Sequence, residues 1–337
     1  MAAESRPGSV RTFLRALWRR VPPRRRIVLL AFLLLAVTSC ARARTMGLRP
    51  PGPSSYAFIE RSILLPGSEA GAQVEGYLVR PRAEGRFPCA VLLHGKGGWW
   101  RAYIRYAHEL AARGVTALIL NYYSAHYVDI EGLTVPFEHR KRQFELQIGD
   151  IARATASFAK SPLCAGGKAA LIGFSLGSDM AFRVSDLPEV GAVVGYYGPY
   201  DYVSFIRHRV NALLLVLAPE DAKRWKRYME KKSPLLMAEK TRVPVLLFHG
   251  VEDRTIRSSQ SIRMVEALRR RRNGSHAAIK LYEGVGHNFV LAWRRTKAER
   301  ADSIRRTIDF LLEHLPPAEG VTPAEGVTPG AGGRGRG

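Results

Sequence analysis

The chain has 337 residues, 46% of them apolar, which suits one large α/β domain with tails to spare. Its formal net charge of +23 is uneven: residues 1–50 hold eleven arginines against the single acid Glu4, so 11 − 1 = +10 lies ahead of the domain. The remaining basic runs, at 223–227, 231–232 and 269–272, come with no nucleic-acid module, so nucleic acid is not expected as a partner, and an anionic membrane surface is the better match.

Residues 1–40 read as an export signal or membrane anchor. Arg19, Arg20, Arg24, Arg25 and Arg26 form a basic region and residues 27–37 an apolar one, shorter than the roughly 20 residues a span requires. The run ends in Val37-Thr38-Ser39-Cys40, which resembles the lipobox of bacterial lipoproteins; the resemblance implies lipidation of Cys40 and tethering at the cell envelope. An uncleaved anchor, or initiation at Met46 giving a cytosolic protein, are the alternatives. Residues 41–57, rich in Arg, Pro, Gly and Ser, read as a tether. Of the other two cysteines, Cys89 opens a core strand and Cys164 precedes another. They are expected as separate buried thiols, with a disulfide as the alternative, and no Cys/His spacing suggests a metal site or a cofactor.

The domain is expected over 58–315. Short strands at 62–65 and 73–80 form an opening hairpin. The continuous apolar run 88–94 suits a strand covered on both faces and ends in His94-Gly95-Lys96-Gly97-Gly98. A helix at 102–113, a strand at 116–122 and a long helix at 137–160 follow, the last with Phe144, Ile148, Ile151, Ala154 and Phe158 at helical spacing. Further strands are expected near 168–174, 190–197, 244–249 and 277–282, with helices around 262–268 and 304–311. Alternating strands and helices predict a mostly parallel central sheet flanked by helices. Residues 201–243 interrupt this rhythm and read either as a small lid or as an ordinary crossover. From Pro316 onward the repeated Ala-Glu-Gly-Val-Thr-Pro and the closing glycines predict a disordered tail over 316–337.

The central motif is Gly173-Phe174-Ser175-Leu176-Gly177, a strand running into a tight turn and then a helix. Such a turn exposes a serine hydroxyl, which becomes a nucleophile only when a base takes its proton. His287, in a loop after the last strand, is placed to be that base, and Asp253, beyond the 244–249 strand, to orient it. Asp201 is the rival acid. His94 and His249 end strands in His-Gly turns and read as braces of those turns. Trp99, Trp100, Tyr122, Tyr123, Tyr196, Tyr197 and Tyr200 fall near strand ends, as pocket wall or as core.

Taken together, the Ser175 elbow, His94-Gly95-Lys96-Gly97-Gly98, His249-Gly250-Val251-Glu252-Asp253 and Gly286-His287 resemble the α/β-hydrolase fold, and within it the dienelactone hydrolase family, over roughly 56–315. The resemblance implies Ser175 as nucleophile, Asp253 as acid and His287 as base. It also implies an oxyanion hole from the backbone N–H groups of Leu176 and Lys96, with Gly97 as alternate to Lys96. Enzymes that give the family its name use a cysteine nucleophile; serine at 175 turns the expectation toward carboxylic esters or lactones generally. A peptidase or acyltransferase on the same fold is the enzymatic rival, and Ser233-Pro234-Leu235-Leu236 resembles serine peptidases of the superfamily. A catalytically silent envelope binding protein is the rival from another class.

Overall fold

The computed structural model describes residues 56–98, 101–127, 135–209, 219–271, 276–292 and 296–322, all within the compact unit Pro50–Gly337. The expected signal and lipobox at 1–40, most of the expected tether, and Trp99 and Trp100 lie outside the described residues.

The chain opens with an antiparallel hairpin, β1 (Phe58–Pro66) and β2 (Gln73–Pro81), paired from Phe58 with Pro81 to Pro66 with Gln73. Then come β3 (Glu84–Leu93), α1 (Arg101–Ala111), β4 (Thr116–Asn121), α2 (Phe137–Ala159), β5 (Cys164–Phe174), α3 (Leu176–Arg183) and β6 (Val190–Tyr196). After these follow α4 (Tyr202–Arg209), α5 (Glu220–Lys231), a 3-10 helix (Pro234–Lys240), β7 (Val245–Gly250), α6 (Ser259–Arg269), β8 (Ala277–Tyr282), α7 (Lys297–His314) and β9 (Glu319–Thr322). The sheet order is β1-β2-β4-β3-β5-β6-β7-β8, and β3 through β8 run parallel. The expected mostly parallel sheet flanked by helices is the observed architecture.

Apolar strands covered on both faces make two cores. One face packs on α2, α3, α5 and α6 through Phe144, Ile151, Met180, Trp225 and Met264; the other packs on α1 and α7 through Leu110, Ile304, Ile308 and Leu311. Within 201–243, α5 sets Trp225 edge-on to Phe144 of α2 at 5.4 Å, so this part packs into the helical layer. Residues 210–218, which bear on the lid, lie outside the described residues.

Two expectations are corrected. Cys89 and Cys164 are not separate thiols: they form a disulfide joining the neighbouring strands β3 and β5, with Cα atoms 5.4 Å apart. The pairing follows from parallel register, with Phe87 opposite Cys164 and an irregularity before Cys89 that brings the two side chains together. Pro316 does not begin the tail. It packs over Gly166, and β9 pairs with the start of β3, so the ordered domain continues to Thr322.

Candidate active site

The site is built on the elbow between β5 and α3. Ser175 has φ +53°, an unusual backbone for a side-chain-bearing residue, costing on the order of 1–3 kcal/mol unless its surroundings impose it. They do so through close packing. A Cβ on Gly173 would lie 2.4 Å from the Gly177 carbonyl oxygen, and one on Gly177 would lie 2.0 Å from that of Leu93, so only glycine fits at either position. The Ser175 N–H donates to the Tyr196 carbonyl at 2.9 Å, tying the elbow to β6. Ser178 Oγ shares a hydrogen bond with Tyr200 Oη across 2.7 Å and fastens α3 to the β6 exit.

Three of the expected site residues meet here. Ser175 Oγ lies 3.0 Å from His287 Nε2, and His287 Nδ1 lies 2.7 Å from Asp253 Oδ2. Asp253 Oδ1 accepts the backbone N–H groups of Thr255 and Ile256, each at 2.8 Å. His249, expected only to brace its own turn, also approaches the acid. Its Nε2–H donates to the Ile256 carbonyl at 2.8 Å and lies 3.3 Å from Asp253 Oδ2, while Ser261 Oγ holds Nδ1 at 2.7 Å. No local signal separates that role from turn bracing, because the contact depends on how the 250–256 loop curls back over β7. Burial would push the Asp253 carboxyl up; hydrogen bonds from His249 and His287, the nearby His287 charge and the Ile256 N–H outweigh it and hold the group well below the usual carboxylate range.

Asp201 is elsewhere. Its Oδ2 pairs with Arg263 at 2.8 Å, its Oδ1 caps the Val203 N–H at 3.0 Å, and its backbone is held by Gln260. The carboxylate beside His287 is that of Asp253.

The turn at 95–98 reaches over the elbow: a Cβ on Gly95 would come within 3.4 Å of Ser175 Cβ. Gly98 N–H donates to the Gly95 carbonyl at 3.1 Å, closing a turn with Lys96 exposed inside it. Two tyrosines fix its base, Tyr103 Oη accepting the Gly95 N–H at 3.0 Å and Tyr122 Oη donating to the His94 carbonyl at 2.5 Å. His94 stacks on Tyr122 at 3.9 Å, and its Nδ1–H donates to the Gly95 carbonyl at 2.8 Å. Burial pushes its imidazole down to about 4, against the raising effect of that carbonyl and of Asn121, so it is neutral and acts as a turn brace. Leu176 is the first residue of α3, so its N–H has no acceptor inside the helix.

Of the aromatic residues expected near the site, Tyr122, Tyr196, Tyr197 and Tyr200 are fully buried, so most are core. Tyr197 is the exception in placement, its ring centroid 4.7 Å from that of His287. Among the described residues no cluster of His, Cys, Asp or Glu could hold a metal ion.

The geometry agrees with what the chain resembles. Residues 74–315 match the dienelactone hydrolase family. No curated protein matches the chain by sequence. Similar solved structures include the esterase of the hyperthermophilic archaeon Pyrobaculum calidifontis, 19% identical with TM-score 0.57, covering 76% of this chain and 83% of that one. The acylaminoacyl peptidase of Pyrococcus horikoshii is 18% identical with TM-score 0.61, covering 79% and 43%. A puromycin-hydrolysing peptidase of Mycobacterium tuberculosis is 19% identical with TM-score 0.60, covering 83% and 44%. The chain therefore spans less than half the length of these two peptidases. At such identities the likeness establishes the α/β-hydrolase fold, and the family match over most of the chain completes the assignment: this protein belongs to the dienelactone hydrolase family and is a hydrolase.

Proposed function

We propose that the protein is a serine hydrolase that cleaves carboxylic esters or lactones through Ser175, His287 and Asp253. The observation that carries this reading is His287 bridging the other two, 3.0 Å from Ser175 Oγ and 2.7 Å from Asp253 Oδ2. In this mechanism His287 Nε2 takes the proton of Ser175 Oγ as the oxygen bonds to the substrate carbonyl carbon. Asp253 holds Nδ1–H, keeping the tautomer that leaves Nε2 free and stabilising the imidazolium that forms. The negative carbonyl oxygen is received by the N–H of Leu176, at the positive end of α3, and by that of Lys96. Collapse breaks the bond to the alkoxy oxygen, which leaves with the proton from His287. Water, deprotonated by the same imidazole, then cleaves the acyl–Ser175 ester and restores the hydroxyl.

The site lies in a cell-envelope protein tethered at the membrane through Cys40 or an anchor at 1–40. The Cys89–Cys164 disulfide supports an oxidising compartment.

A fluorophosphonate probe tests the nucleophile, with labelling of the parent and none of Ser175→Ala expected. Labelling that survives in Ser175→Ala would overturn the assignment. Initial rates on p-nitrophenyl esters and on N-acylated peptides then separate esterase from peptidase, the expectation being turnover of the esters and not of the peptides.

A further inference from the structure

The two ends of the parallel sheet differ in charge. Because β3 to β8 run the same way, their carboxyl ends form one edge, with Ser175 beyond β5 and Asp253 beyond β7. Their amino ends form the opposite edge, roughly 20 Å away for strands of about six residues.

On that opposite edge five cations gather where the chain enters β7 and β8. Lys240 and Arg242 lead from the 3-10 helix into β7, and Arg269, Arg270 and Arg271 lead from α6 toward β8. β7 and β8 are adjacent and parallel, so the two segments are neighbours. Arg271 donates to the Thr241 carbonyl, and Arg269 Nε donates to that of Ala277 at 3.0 Å. The Ala277 acceptor is neutral, so it holds the Arg269 guanidinium at the edge without cancelling its charge. Lys240, Arg242, Arg269 and Arg270 are exposed, and among the described residues no carboxylate pairs with Lys240, Arg269 or Arg270. Elsewhere on this edge Arg86 lies 3.9 Å from Glu319 and Lys160 2.6 Å from Glu189, while Glu239 and Glu266 are the exposed acids on the two cationic segments. On the Ser175 edge both signs mix, as Asp201 with Arg263 and Glu252 next to Arg254.

A second observation points the same way. Tyr56 donates its N–H to the Ala112 carbonyl at 3.3 Å and sets its ring edge-on to Phe87 at 5.4 Å, beside Gly114. Ala112 and Gly114 precede β4, and Phe87 lies early in β3, so Tyr56 sits at the same amino edge. The segment ahead of Tyr56, with its arginines and the apolar run 27–37, joins the domain at this residue.

We propose that this amino edge, through Lys240, Arg242, Arg269, Arg270 and Arg271, docks on an anionic lipid surface and turns the Ser175 edge toward the aqueous phase. The inference stands on sheet polarity and charge and is independent of the role of Ser175. Lipid is favoured over single-stranded nucleic acid because the chain ahead of Tyr56 includes the apolar run 27–37.

Hydrogen exchange of the full chain, reconstituted on vesicles, tests this directly. With phosphatidylglycerol-containing vesicles, backbone amides at 239–242 and 265–271 should be protected relative to pure phosphatidylcholine vesicles, while those at 252–257 should not. The protection should vanish at about 1 M salt, where the Debye length is about 3 Å. Lys240→Glu/Arg269→Glu/Arg270→Glu should weaken the local docking equilibrium on the order of 100-fold, removing the protection with circular dichroism and melting temperature retained. The wild-type comparison of vesicle compositions decides the matter even if that variant folds poorly. Equal protection on both lipids, protection of the 252–257 loop instead, or equal protection by an oligonucleotide would each overturn the proposal.

Discussion

Asp253 holds more polar contacts than any other side chain at the site: His287, His249 and two backbone N–H groups converge on it. Asp253→Asn keeps the shape but offers His287 an amide that favours the wrong tautomer, so kcat should fall on the order of 10⁴-fold with little change in secondary structure, measured by steady-state rates and circular dichroism. The same carboxyl links stability to pH. Its folded-state pKa is depressed, so its contribution is complete above the unfolded value of about 3.9 and is lost as pH falls through the folded value. The stability difference between the parent and Asp253→Asn should therefore shrink below about pH 4 in denaturant titrations. Glu109 on α1 behaves oppositely. Burial pushes its carboxyl up to about 7 in spite of Arg300 and Arg113. With the folded value raised, its contribution is complete below about 4.3 and is lost as pH rises through about 7. Melting temperatures of parent and Glu109→Gln, compared from about pH 5 to 8, should show the parent losing ground with rising pH; a constant offset would refute this.

The elbow and the disulfide show how neighbouring elements constrain one another. Gly173 and Gly177 let β5, α3 and β3 approach until no Cβ fits, and that crowding holds Ser175 at φ +53°. Beneath the elbow the Cys89–Cys164 bond ties the same two strands together and closes a loop with a sequence separation of 75. A loop of that length corresponds to about 4 kcal/mol of unfolded-state entropy. Cys89→Ala/Cys164→Ala should thus lower the melting temperature by about 10 °C while leaving hydrolase activity at low temperature largely intact. A melting temperature unchanged in the double variant and insensitive to reductant in the parent would count against the bond. On the helical layer, α3 carries a buried pair, Asp179 with Arg183 at 2.9 Å, further anchored by Tyr202 Oη donating to Asp179 at 3.1 Å. Helical spacing alone brings Asp179 and Arg183 together; nothing local signals that Tyr202 joins them.

At the scale of the molecule, the proposed membrane attachment involves the N-terminal segment and, separately, the sheet's amino edge. Among the described residues no helix is long and apolar enough to cross a membrane; the expected tether lies in residues 1–40. Cys40→Ser should block maturation or release the protein into the soluble fraction, followed by fractionation and immunoblotting; a correctly sized protein that stays membrane-bound would favour an uncleaved anchor. Much was legible from the chain because it is local chemistry. Apolar runs, helical spacing and glycine-flanked motifs depend on residues a few positions apart, and they determined the strand and helix order and singled out Ser175 and His287. Register and closure over long separations were not legible in that way. Only the tertiary structure decided that Asp253 rather than Asp201 faces His287, that His249 reaches the same carboxylate, that Cys89 meets Cys164, and that Lys240 and Arg269 share one edge. The reason is physical: each of these contacts depends on how distant segments are brought together by strand register, crossovers and loop curvature, and a shift of one residue in a strand turns its side chains to the other face.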